Sequence, residues 1–129
     1  MIKNFLMMKQ HHSVKETCPM SLKLYWLQCG GCGGDTWSFF NGESPNIVEL
    51  FSSLDIELLW HPSISRNREK DQKKVDEDLM SGSLNIDVLC IEGSVLRGPG
   101  GTGMYDRIRG KPKKDFVASL AKRAQYILA

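Results

Sequence analysis

The chain has no run of about 18 or more apolar residues, the length that a membrane-spanning helix needs, so no membrane span is expected. It also has little net charge, +2 against 25% charged residues, which argues against a nucleic-acid partner. Four cysteines in 129 residues are too few for a disulfide scaffold. The opening stretch Met1–Met20 has no sustained apolar core, no small-residue cleavage site and no twin-arginine pair. Together these features predict a reducing, cytoplasmic location.

With 41% apolar residues, the chain can form one domain that buries roughly two thirds of its unfolded surface. Residues 1–21 are expected to be a loosely ordered lead-in, with His11 and His12 exposed and Cys18 carrying no readable role; residues 22–129 form the domain. A basic run, Arg107, Arg109, Lys111, Lys113 and Lys114, reads as a solvated loop leading into a helix.

The apolar pattern predicts alternating strands and helices. Leu22–Gln28 is rich in β-formers and stops at glycine, which suits a first strand. A helical pattern between Thr36 and Leu54 is broken near Gly42–Pro45, its second part placing Ile47, Val48, Leu50, Phe51 and Leu54 on one face. Ile56–Ser63 gives a second strand, and the charged stretch Arg66–Gly82 a surface helix closed by its glycine. Ile86–Ser94 is nearly continuously apolar, as in a parallel strand covered on both faces, with Cys90 packing as a small hydrophobe. A glycine-rich loop then leads to a helix over Lys113–Gln125, and Tyr126–Ala129 opens a fourth strand. The order predicts a doubly wound, flavodoxin-like parallel sheet with helices on both faces. A chain that stops in its fourth strand is expected to be a truncated piece of a larger domain.

Two cysteines and an aspartate interrupt the glycines of Cys29-Gly30-Gly31-Cys32-Gly33-Gly34-Asp35, immediately after the first strand. In a doubly wound sheet ligands bind beyond the carboxyl ends of the strands, so this loop is the candidate site. It lacks a Gly-Lys-Ser/Thr ending and an in-register GxGxxG, against a nucleotide phosphate loop. Cys29-x2-Cys32 has zinc-ligand spacing, but no second pair of cysteines or histidines follows suitably. A redox CxxC remains open. Thiolates beside glycine N–H groups also suit an iron-sulfur cluster, for which the loop provides part of a site.

The segments "WLQ", "DTWSFFN", "ESPNIVEL", "LLWHPS", "VLCIEGSV", "GPGGTGMYD" and "ASLAKRAQYILA", in this order between Leu22 and Ala129, resemble the N-terminal part of the small, iron-sulfur subunit of nickel-iron hydrogenases, in particular the actinobacterial-type branch. The resemblance implies that Cys32 and Asp35 are two ligands of a proximal four-iron, four-sulfur cluster, with Cys29 the alternative to Asp35. A carboxylate is a harder ligand than a thiolate and alters the cluster's potential. It also implies that Glu92 lies near the cluster; read without the family, Glu92 is equally a strand-end carboxylate facing water. Trp60 and His61 match a family motif, packing being the simpler role. The family's other cluster cysteines, starting with a Gly-Thr-Cys turn after the fourth strand, are absent here, so the chain alone is expected to bind no stable cluster.

The implied function is electron transfer from a nickel-iron centre in a partner large subunit, docked against apolar strand and helix ends, towards an acceptor protein or quinone pathway. No catalytic residue is then expected in this chain. Two rivals remain: an iron-sulfur protein like the small subunit of complex I, which normally has adjacent cysteines in this loop, and a flavodoxin-like interaction module without a cofactor.

Overall fold

The computed structural model describes residues 21–66 and 69–129. The lead-in with His11, His12 and Cys18 lies outside the described residues apart from Ser21. Strands β1 (Leu22–Gln28), β2 (Ile56–Trp60), β3 (Val88–Glu92) and β6 (Tyr126–Leu128) form one parallel sheet in the order β2-β1-β3-β6. This is the expected doubly wound arrangement, with the strand order reversing beside β1.

Alternation along β1 divides the structure into two layers. Tyr25 and Leu27 enter the main core with Leu79 of α3 (Glu69–Ser81), Leu89 of β3, and Val117 and Leu120 of α4 (Lys113–Ala121). Trp26 points to the opposite face, where its ring lies 5.4 Å from that of Phe39 in α1 (Gly34–Phe40). Phe39 is in turn 6.4 Å from Phe51 of α2 (Ile47–Ser53).

The break expected near Gly42–Pro45 separates α1 from α2. Asn46 caps α2: its side chain accepts from the N–H groups of Val48 and Glu49, both at 3.0 Å, while Glu49 accepts from the Asn46 N–H at 3.1 Å. The expected α2 face needs correcting. Ile47, Leu50 and Phe51 are partly buried, but Val48 is 71% exposed and Leu54 lies beyond the helix end and is also exposed. Seven residues make only two turns, so the buried stripe is narrower than the apolar pattern. Leu89 is fully buried, whereas Cys90 on the α1 face of β3 is only half-buried, so the expected cover on both faces is incomplete there.

The basic run is not simply a solvated loop. Arg107–Ile108 (β4) pairs antiparallel with Lys111–Pro112 (β5) through a two-residue turn, Arg109-Gly110. Both turn residues have positive φ, 50° and 77°, as a hairpin turn matching the right-handed strand twist requires. Arg109 holds the hairpin to α3: its guanidinium lies 2.6 Å from Asp76, which also accepts the Tyr25 hydroxyl at 2.7 Å. Burial, reinforced by the Asp76 charge, pushes the Tyr25 phenol well above its usual range. A two-residue strand is too short to announce itself by alternation, and a buried carboxylate on α3 is needed to give the arginine its partner.

Replacing Leu89 by Ala is expected to cost about 2–5 kcal/mol in chemical denaturation, as for other fully buried leucines. Val48→Ala should stay within about 0.5 kcal/mol of the parent. Equal losses at the two positions would contradict this layering.

Candidate functional site

The loop leaving β1 is stitched to the loop leaving β3. The Cys29 N–H donates to the Glu92 carbonyl at 2.8 Å, and Gly30 and Ser94 exchange N–H···O bonds of 2.9 and 2.8 Å. Gly93 permits the close approach: it has φ 80°, and a Cβ there would lie 2.7 Å from the Gly30 carbonyl oxygen. Gly33, at φ 77°, then turns the chain into α1, with the Gln28 amide occupying the space a side chain would need.

This geometry sorts the loop's three candidate donors. Cys29 is only 8% exposed and belongs to the core beneath α3 and α4; burial pushes its thiol up. Cys32 and Asp35 are both exposed, Cys32 in the loop and Asp35 in the first turn of α1. Both follow the carboxyl end of β1, three residues apart in the chain. Among the described residues there is no group of three or more His, Cys, Asp or Glu side chains placed to hold a metal ion. A thiolate and a carboxylate are each donors that iron accepts.

Glu92 does not face water. It is 4% exposed and accepts from the Trp26 indole N–H at 3.2 Å, from the Thr36 backbone N–H at 2.9 Å and from the Thr36 hydroxyl. Burial works to raise its carboxyl, but the hydrogen bonds from Thr36 and Trp26 outweigh that and hold it below the ordinary carboxylate range. Behind Thr36 lies fully buried His61, its Nε2 at 3.4 Å from the Thr36 hydroxyl oxygen. His61 Nδ1 accepts the Ser63 N–H at 3.0 Å, which leaves the neutral ring's proton on Nε2, directed at Thr36. Burial keeps the ring below its usual value against the pull of the Glu92 charge. His61 also packs against Trp26 and Phe40, with ring centroids at 4.8 and 5.4 Å, so the packing expected of it is joined by a polar role.

Sequence reasoning missed Thr36 and Trp26 as partners of Glu92. A threonine just after the loop aspartate gives no signal until the β1–β3 register, which sets Gln28 opposite Glu92, brings the two strand ends to the start of α1. A cleft of about 450 Å³ between α3, the hairpin and α4, lined by residues including Asp76, Met80, Arg109 and Phe116, contains none of Cys32, Asp35 or Glu92.

The sheet and its helices define a doubly wound α/β domain, a class in which ligands bind beyond the carboxyl ends of the strands. The family described as NADH ubiquinone oxidoreductase, 20 kDa subunit, matches residues 32–129, and the chain belongs to that family. Among curated relatives, it is 27% identical over 117 residues to the small subunit of F420 non-reducing hydrogenase I of Methanosarcina mazei, and 26% identical to that of hydrogenase II. Each match covers 83% of this chain and 30% of the relative, so the chain spans under a third of those proteins. Its fold is similar to part of the actinobacterial-type NiFe-hydrogenase from Ralstonia eutropha H16, with TM-score 0.68 and 19% identity over 83% of this chain and 35% of that one. The NiFeSe hydrogenase of Dm. baculatum gives TM-score 0.66 and 19% identity over 83% and 41%. At such identities the likeness is one of fold. No helix among the described residues is long and apolar enough to cross a membrane.

Because the Glu92 carboxyl is held low in the folded state, it contributes stability above the ordinary carboxylate value of about 4.3 that is lost as pH falls through its folded value. Thermal melts across that range should show a steeper acid loss for the parent than for Glu92→Gln. Parallel curves would remove Glu92 from the set of groups that stabilise the folded state as the anion.

Proposed function

We propose that the chain forms the proximal-cluster domain of the electron-transfer small subunit of a nickel-iron hydrogenase of the actinobacterial type, with Cys32 and Asp35 as two ligands of a four-iron, four-sulfur cluster. The observation that supports this reading is the sorting of the loop: Cys32 and Asp35 are exposed, while Cys29 is turned into the core. The hydrogenase small subunits among its relatives support it from a second direction. The cluster's other ligands belong to the part of the relatives' length that this chain does not span.

When bound, such a cluster passes single electrons. The chain's own residues prepare its place. Gly33 and Gly93 bring backbone close, Glu92 braces the start of α1 through Thr36 and Trp26, and His61 backs Thr36. Trp37 and Tyr105, 60% and 74% exposed, provide apolar surface for the large subunit that would hold the nickel-iron centre. Electrons then continue to an acceptor protein or quinone pathway. Cys29, Cys32 and Cys90 are all free thiols, as a reducing cytoplasm would keep them.

The family's description favours a second reading, a complex I-like iron-sulfur subunit. Iron, acid-labile sulfide and nickel analysis of the full-length gene product, copurified with any large subunit, separates the readings. Iron, sulfide and nickel together support the hydrogenase; iron and sulfide without nickel support the second; absence of iron overturns both.

Within the complete subunit, Asp35→Cys is expected to keep the cluster and move its reduction potential, read by redox titration with electron paramagnetic resonance. An unaltered potential and spectrum would exclude Asp35 as a ligand. Cys29→Ala should retain the parent's iron content, and iron loss would reverse the assignment of Cys29 and Asp35.

A further inference from the structure

Lys113 opens α4, where the helix dipole is positive and a cation is disfavoured. Its ammonium is nonetheless mostly buried, 2.7 Å from Asp106 Oδ1, with side-chain exposures of 17% and 16%. It also donates to the Gln28 carbonyl at 3.2 Å, and the Lys113 backbone N–H donates to the Asp106 carbonyl at 2.8 Å. The other carboxylate oxygen, Asp106 Oδ2, is buried without a hydrogen-bond partner among the described residues.

Three segments thus meet at one nitrogen: the last residue of β1, the loop after β3 and the first turn of α4. A largely buried ion pair is weak evidence for stability, since desolvation offsets much of the attraction. Placing the cation at the positive end of a helix makes a purely stabilising role less favourable still. What the position does achieve is to fix the carbonyl immediately before Cys29. Lys113 and Asp106 also act on the Cys29 thiol with opposite sign, the ammonium pulling it down and the carboxylate pushing it up.

We propose that Lys113 is the positioning residue of the Cys29–Asp35 loop, anchoring its first turn and supplying a buried positive charge that favours reduction of the anionic group the loop holds. The electrostatic half rests on the function proposed above; the anchoring half does not.

Two measurements test the halves separately. In this chain without metal, hydrogen exchange of the Cys29 and Gly30 amides, which donate to the Glu92 and Ser94 carbonyls, should quicken about tenfold or more in Lys113→Met and stay near the parent's rate in Lys113→Arg. Unchanged exchange in Lys113→Met overturns the anchoring role, whatever the iron content of the full-length protein. In the complete subunit with its partner, Lys113→Met should disfavour cluster reduction by about tenfold, about 59 mV for one electron. Asp106→Asn, which keeps the cation and removes its counter-charge, should move the potential in the opposite direction. If Lys113→Met does not fold, Asp106→Asn alone decides the charge effect. An unmoved potential in an iron-loaded variant overturns it, and a complete subunit without iron overturns both the charge effect and the function on which it rests.

Discussion

The contact on which the candidate site depends is the reciprocal pair of backbone hydrogen bonds between Gly30 and Ser94. Two loops that leave neighbouring parallel strands would normally diverge, because each must turn to start its own crossover. Here they are joined one residue beyond Cys29, and the joint exists because position 93 has no side chain to collide with the Gly30 carbonyl. Cys29 is thereby directed inward and the chain emerges at Cys32. The start of α1 is delivered above the end of β3, where Glu92 meets it. Backbone packing at this joint goes with the sorting of the loop's side chains into buried and exposed.

Around this joint the polar groups form a graded series. Glu92 carries the charge, Thr36 bonds it through both backbone and side chain, and His61 stands behind with its neutral proton directed at the hydroxyl. Such a buried network is favourable only when every member is satisfied, so its parts constrain one another's rotamers. The aromatic rings of Trp26 and Phe40 enclose the imidazole and keep water from competing for these bonds.

Much of the sheet was legible in the sequence because its strands are buried and bounded by glycine or proline. β1 stops at the glycine loop that the composition marked, and β3 reads as an apolar run because α3 and α4 cover Leu89. The exit loop of β1 was legible as a site from its glycines and its place after the first strand. What stayed hidden depended on long-range register. Glu92 could be read as facing water until Gln28 was set opposite it, and the basic run read as solvated until Asp76 and Asp106 supplied counter-charges from other segments. The exposure of Val48 shows the converse, an apolar pattern broader than the surface available to cover it.

The turn at Arg109 couples two distant positions. Its left-handed backbone suits glycine or asparagine better than arginine, so local preference alone would erode the side chain. Losing it, however, would strand the Asp76 carboxylate in the core beside Tyr25. A change that removes the cation at 109 is therefore expected to be tolerated only together with a change at 76, so that two segments distant in sequence answer for one buried charge.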